Sequence, residues 1–232
     1  EFRFDRKTFI TLSFLIGVSL FLGSALQQVA LLYTDVANAA FFTIFYVPMV
    51  PIIIFIFKKD FLHWSVWPSV ILCLIGGYLL TNFQDATVRL GDTLVVLGAL
   101  FWSTHIIFTG MIIKKYNLPL TIGAIQTLLV AIFSFIIGLF SEEFVIDSIL
   151  NEIDSILYAG ILSGGFAFVL QIYAQRNITP APAAIIFSLE GVFATIAAWF
   201  LLNQILGINN LLGCFFILSG VLLSQLIPLV KK

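Results

Sequence analysis

Eight times along this chain a run of roughly 20 apolar residues passes with only scattered polar interruptions, about the length a helix needs to cross the hydrocarbon of a bilayer. The runs cover Thr8 to Leu32, Ala37 to Phe57, Val66 to Asn82, Asp92 to Ile113, Leu118 to Phe140, Ser155 to Gln175, Ala181 to Leu202 and Leu206 to Val230. With 61% hydrophobic and only 10% charged residues, 232 residues carry more apolar surface than one water-soluble core can hide. Lipid is therefore the solvent. The spans are expected to be α-helices, because hydrocarbon offers backbone groups no other partner, and the continuous runs lack the alternation of a β-barrel. The expected fold class is all-α, a polytopic membrane protein with eight transmembrane helices.

A duplication lies across these runs. The hexapeptide GYLLTN from Gly77 returns as GVLLSQ from Gly220, and the same offset pairs Gly17 with Gly160, Gln28 with Gln171 and Ala40 with Ala183. Five spans separate one copy from the next. Since five is odd, the second copy is expected to cross the bilayer in the opposite sense, as in the inverted repeats of transporters. If the second copy starts near Arg89, the first should begin about fifty residues before Glu1. The expectation is thus ten spans in two inverted five-helix repeats, with residues 1–88 the last three spans of the first and residues 89–232 all five of the second.

Loop charge gives the orientation. An amino end on the cytoplasmic side places Arg3, Arg6, Lys7, Lys58, Lys59, Lys114, Lys115, Arg176, Lys231 and Lys232 together, and only Arg89 opposite. Both chain ends are therefore expected in the cytoplasm. A net charge of −1 leaves no basic patch for nucleic acid once topology has explained the positive loops. Cys73 and Cys214 both fall inside expected spans and read as small buried residues, not as a disulfide framework.

Polar groups inside spans mark a solute path or a bond between helices. The fourth span aligns Gly98, Trp102, His105 and Thr109 on one face, and the seventh aligns Ala183, Phe187, Glu190, Ala194 and Ala197. The first carries Gly17, Phe21, Ser24 and Gln28 in one stripe, the sixth Gly160, Gly164, Ala167, Gln171 and Ala174. Such faces are expected to look inward. The candidates for a solute pathway are Gln28, Tyr46, Trp102, His105, Thr109, Gln171, Tyr173 and Glu190. Gln28 and Gln171 are related by the duplication. Tyr46, Trp102 and Tyr173 can stack on or hydrogen-bond a solute. Glu190, the carboxylate well inside a span, is a candidate for proton coupling or for binding a cationic group, and His105 is a candidate for proton coupling; against each stands the plainer reading of a packing residue or a structural hydrogen bond. Pro48 and Pro51 should bend the second span.

Several stretches in combination resemble the EamA type of the drug/metabolite transporter superfamily: ALLYTDVANAAFFTIFYVPMVPII from Ala30, GDTLVVLGALFWSTHIIFTG from Gly91, and ITPAPAAIIFSLEGVFATIAAWFLL with LGCFFILSGVLLSQL in the last two spans. The resemblance covers nearly the whole chain. It implies a secondary carrier, often an exporter, moving small organic metabolites such as amino acids or their derivatives by alternating access through a central cavity between the repeats. It also implies that the first, second, fourth, sixth and seventh spans here line that cavity. A Glu-Pro pair common in the family reads Glu190-Gly191 here, a Gly-Glu pair after the seventh span reads Asn203-Gln204, and Lys59-Asp60 stands at the matching place after the second. The location so implied is the bacterial cytoplasmic membrane.

The rival classes fare less well. A membrane-embedded enzyme needs a nucleophile with a base or clustered metal ligands, and neither HExxH, GxSxG nor paired intramembrane aspartates occur; no cofactor or metal is expected. His63 beside Trp64 fits an interfacial anchor. A non-transporting interaction protein would need a soluble segment, yet Ser141 to Asp154 has room only for a small interfacial helix. A channel would need a carbonyl-loop or charged-ring motif. The expected partners are a small-molecule solute and membrane lipid; a homodimer is compatible with the sequence, but nothing in it argues for one.

Overall fold

The structure is a computed structural model that describes residues 5–58, 62–81, 89–141, 143–203 and 205–230. Arg3, Lys59, Asp60, Asn82, Gln204, Lys231 and Lys232, all used above, lie outside them. In chain order the helices are α1 (Arg6–Ala30), α2 (Val36–Thr43), α3 (Tyr46–Lys58), α4 (Val66–Thr81), α5 (Leu90–Tyr116), α6 (Pro119–Ser141), α7 (Ile146–Asn151) and α8 (Ile153–Leu157). A π-helical stretch, Tyr158–Ala167, leads into α9 (Phe168–Ala174), followed by α10 (Pro180–Phe187), α11 (Leu189–Leu202) and α12 (Ile208–Val230). No strand occurs among the described residues.

The protein is an integral membrane protein. Seven helical segments are long and apolar enough to span, counting α2 with α3, α8 through α9, and α10 with α11 as one each. α4, with 16 residues, covers only about 24 Å at the helical rise, short of a full crossing within the described residues. Large apolar side chains face outward, as lipid requires: Phe57 is 81% exposed, Phe140 87% and Phe200 75%.

The chain divides into two compact units, one of residues 1–22 and 108–178, the other of residues 23–107 and 179–232. In the first unit Phe9, Ile16, Ile112, Ile113, Tyr116, Ile122 and Ile172 form a core. Phe9 meets the Tyr116 ring edge-on, and the Tyr116 hydroxyl donates to the Asp5 carbonyl at 2.8 Å. Asp5, just ahead of α1, accepts from the backbone N–H and the hydroxyl of Thr8, which holds its carboxyl below the usual carboxylate range. The chain leaves α5 through Asn117, whose positive φ of 55° ends the helix.

In the second unit, which holds the larger core, α4 packs along α12. A Cβ added to Gly76 would sit 2.7 Å from the Gly213 carbonyl oxygen, and one on Gly220 would sit 2.8 Å from that of Ser69. Small residues thus bring two backbones into contact, the main source of cohesion where lipid removes the hydrophobic drive. As α4 is followed from Ser69 to Gly76 to Leu80, its neighbours on α12 retreat from Gly220 to Gly213 to Asn210. The two helices therefore run antiparallel. α1 and α5 do likewise in this unit, with Gly23 against Trp102 and Ala30 against Gly91. Their ends are tied by Asp92, 1% exposed, which accepts from the Thr34 hydroxyl and from the Arg89 backbone N–H, while the Arg89 guanidinium pairs with Asp35.

Three spans are not the uninterrupted helices their composition implies. The second breaks between α2 and α3: Pro48 has no N–H to give to Ile44, and the chain tightens through bonds from Ile44 to Phe41 and Phe45 to Phe42, both 3.2 Å. The seventh breaks at Ser188, whose hydroxyl donates to the Ile185 carbonyl at 2.6 Å while Gly191 N–H bonds back to Ser188 at 3.2 Å. The sixth opens into the π-helical stretch, where i to i+5 bonding carries residues four apart off a common face. The stripe expected there does not pack inward: Gly160 and Ala167 are exposed, and nothing lies within 4 Å of a Cβ built on Gly160.

Packing of this kind makes a contrast between glycines measurable. Gly220→Val should lower the stability of the detergent-solubilised protein by about 1–3 kcal/mol, seen as a lower thermal midpoint, because it forces α4 and α12 apart. Gly160→Ala should leave the midpoint unchanged or raise it.

Candidate functional site

Within the second unit, a cavity of about 760 Å³ reaches from the ends of α2 and α4 at Val36 and Thr81, and the segment at Ile205 and Leu206, down to the helix breaks at Tyr46 and Ser188. Its walls come from α1, α2, α3, α4, α10, α11 and α12. They are mostly small or apolar, including Ala37, Ala40, Ala194 and Ala198, and carry a few convergent polar groups: Gln27, Thr43, Tyr46, Glu190, Thr195 and Asn210. That mixture in that volume is the usual build of a small-molecule site.

Each polar group has a structural reason for its place. Gln27 lies one turn after Gly23, where α1 approaches Trp102 closely enough for the indole N–H to donate to the Gln27 side-chain oxygen at 3.3 Å. The Gln27 amide in turn donates to Thr43 at 3.4 Å, at the last turn of α2. Thr43 and Thr195 both donate to carbonyls one turn back in their own helices, at 2.8 Å, leaving oxygen lone pairs for another donor. Asn210 donates to the Leu80 carbonyl at 3.3 Å, closing α12 onto the end of α4. Glu190 sits in the first turn of α11, directly after the break at Ser188, and its side chain makes no hydrogen bond or ion pair among the described residues.

Of the residues picked out from sequence, the structure brings Tyr46 and Glu190 to this cavity, and Trp102 to the Gln27 that lines it. His105 is fully buried and meets the Trp102 ring edge-on, with centroids 6.1 Å apart. Gln28 is exposed; its neighbour Gln27 takes the place at the cavity. Thr109, Gln171 and Tyr173 belong to the first unit, Thr109 fully buried, Gln171 half-buried and Tyr173 55% exposed. Tyr173 stacks beneath Arg176 at 4.9 Å, an arrangement suited to an interfacial anchor. Gln27, Thr43, Thr195 and Asn210 were not singled out from sequence. A signal for Gln27 was there, in the face Gly23, Gln27, Ala30 and Thr34 that meets α5, but the duplication drew attention one residue along. Among the described residues, no three of His, Cys, Asp and Glu come together in a way that could hold a metal.

Comparison with known proteins agrees with this architecture. Residues 89–226 match the EamA-like transporter family. A protein of Archaeoglobus fulgidus named "Uncharacterized transporter" is 31% identical over 92% of this chain and 68% of its own length. "Uncharacterized transporter YoaV" of Bacillus subtilis is 27% identical over 66% of this chain and 52% of its own length, and "Protein WALLS ARE THIN 1" of Arabidopsis thaliana is 26% identical over 68% and 40%. The chain thus spans between about two fifths and two thirds of the length of these relatives. A solved structure described as "Crystal structure of protein" superposes with a TM-score of 0.76 over 97% of this chain and 88% of its own, at 14% identity, and shares the fold.

Accessibility separates cavity from core. In a Cys214→Ser background, Ala194→Cys and Thr195→Cys should react with a small hydrophilic thiol reagent, whereas Ser103→Cys, at a fully buried position of α5, should not. Mass spectrometry of the labelled protein reads the difference.

Proposed function

Because the chain belongs to the EamA-like transporter family, we propose that it is a secondary carrier that moves a small organic metabolite, of the amino-acid or derivative class, by alternating access through the cavity between Gln27 and Glu190. The single observation that carries this reading is the pair of helix breaks at the floor of that cavity. The offset relating Gly77 to Gly220 also carries Phe45, in the break between α2 and α3, onto Ser188, in the break between α10 and α11. A duplicated interruption, with both copies meeting one cavity, is an arrangement that carriers with inverted repeats place around a solute near mid-membrane. The division at residues 88 and 89 into two repeats belongs to the same proposal. The antiparallel course of α4 and α12, which carry GYLLT of the first recurring segment and the whole of the second, GVLLSQ, supports the inversion.

The cavity extends to Val36, Thr81, Ile205 and Leu206, beside the loops that loop charge assigns to the outside, which supports reading it as an outward-facing site, the kind from which an exporter releases its cargo. Break residues at Phe45 and Ser188 are the natural hinges for the reverse state, because their backbone bonding departs from the regular helical ladder.

The test is flux of radiolabelled amino acids and their amine derivatives in vesicles holding the natural full-length protein. At least one solute should move down its gradient. Gln27→Ala should lower the initial rate about tenfold or more with the protein still in the membrane, as expected of a group that orients solute, and Gln171→Ala should lower it as well. Wild-type rates in both variants would remove the two glutamines from the path. For proton coupling, the Glu190→Gln variant should lose the pH dependence of flux, and an unchanged profile would exclude Glu190.

A further inference from the structure

We propose that the cavity selects a small organic cation, an amine carried as its ammonium ion, with the Glu190 carboxylate as its counter-charge. This rests on the reading of the cavity as a carrier's solute site and narrows its cargo from amino acids at large to molecules lacking a free carboxylate. Among the described residues that line the cavity, Glu190 is the one acidic side chain, and none of the others is Lys, Arg or His. Among the described residues, none gives its carboxylate a hydrogen bond or an ion pair, and Tyr46 is its polar neighbour in the cavity.

Glu190 stands in the first turn of α11, at the positive end of the helix dipole. An ammonium ion entering here exchanges water for a carboxylate in a medium of low dielectric, where an ion pair is strong and a lone charge expensive. A zwitterionic amino acid would bring its own carboxylate into the same space. The described lining offers that group hydroxyls and amides but no cation, and Glu190 would repel it. The other contacts fit the remainder of such an amine: Thr43, Thr195 and Gln27 supply neutral polar atoms, and Ala40, Ala194 and Leu206 supply apolar wall for its body.

The experiment uses the full-length protein in detergent micelles and three probes of one shape and different charge: 2-phenylethylamine, phenylalanine and 3-phenylpropionate, with binding measured by titration calorimetry. The amine should bind about tenfold or more tightly than either of the others. Glu190→Gln should erase that preference, and Glu190→Asp, which keeps the charge, should retain most of it. Equal or tighter binding of phenylalanine or 3-phenylpropionate, no binding of the amine, or an undiminished amine preference in Glu190→Gln would overturn the proposal. The wild-type comparison stands even if a variant fails to fold. Charge-selective amine binding without flux in vesicles would support this inference and overturn the carrier reading, whereas flux that is indifferent to cargo charge would uphold the carrier and overturn this inference.

Discussion

A peptide group surrounded by hydrocarbon has to find its hydrogen-bond partner in its own helix, and every feature of this protein that resembles a site occurs where that requirement is relaxed. The second and seventh spans are interrupted, and at each interruption the chain keeps its backbone bonded by tightening locally: through Phe41 and Phe42 in one, and through the Ser188 hydroxyl and Gly191 in the other. Such breaks survive in a membrane only where protein or a cavity, and not lipid, lies beside them. Here both stand at the floor of the same cavity, with Tyr46 beginning one helix after its break and Glu190 in the opening turn of the other.

The scaffold that holds this cavity open depends on close approach more than on apolar area. Lipid tails are as apolar as leucine, so helices in a bilayer gain little by burying side chains against one another. They gain by contact. Gly76, Gly213 and Gly220 let the backbones of α4 and α12 touch, and Gly23 and Gly98 do the same for α1 and α5. The second contact has a direct consequence for the site, since it sets Gln27 within reach of both Trp102 and Thr43 and so fixes an amide at the cavity wall.

Much of the fold was legible in the sequence because the bilayer imposes a length and a polarity on every span. The runs from Thr8, Asp92 and Leu118 match α1, α5 and α6 to within a few residues, and the short helix expected between Ser141 and Asp154 forms as α7. Pro48 announced the break in the second span. The break at Ser188 had no such announcement, since no proline follows it, and only the offset to Phe45 points there. The π-helical stretch was illegible for a related reason: its glycines read as a packing stripe at the α-helical period, and that period is lost when bonding shifts to i+5.

For the site itself, residue types in the sequence determined that a few polar side chains had to be accommodated inside an apolar bundle, and they pointed to Tyr46, Trp102 and Glu190 as three of them. They could not decide between Gln27 and Gln28, because adjacent residues on a helix differ by about 100° in direction and the stripe is wide enough to admit either. Tertiary structure decided it, through the approach of Gly23 to Trp102 that turns Gln27 toward the cavity and leaves Gln28 exposed. Apolar periodicity therefore determined that the chain would be helical and membrane-embedded, since that follows from solvent alone. Which polar groups meet in one cavity follows from how closely particular helices approach, a property of pairs of helices that no single span encodes.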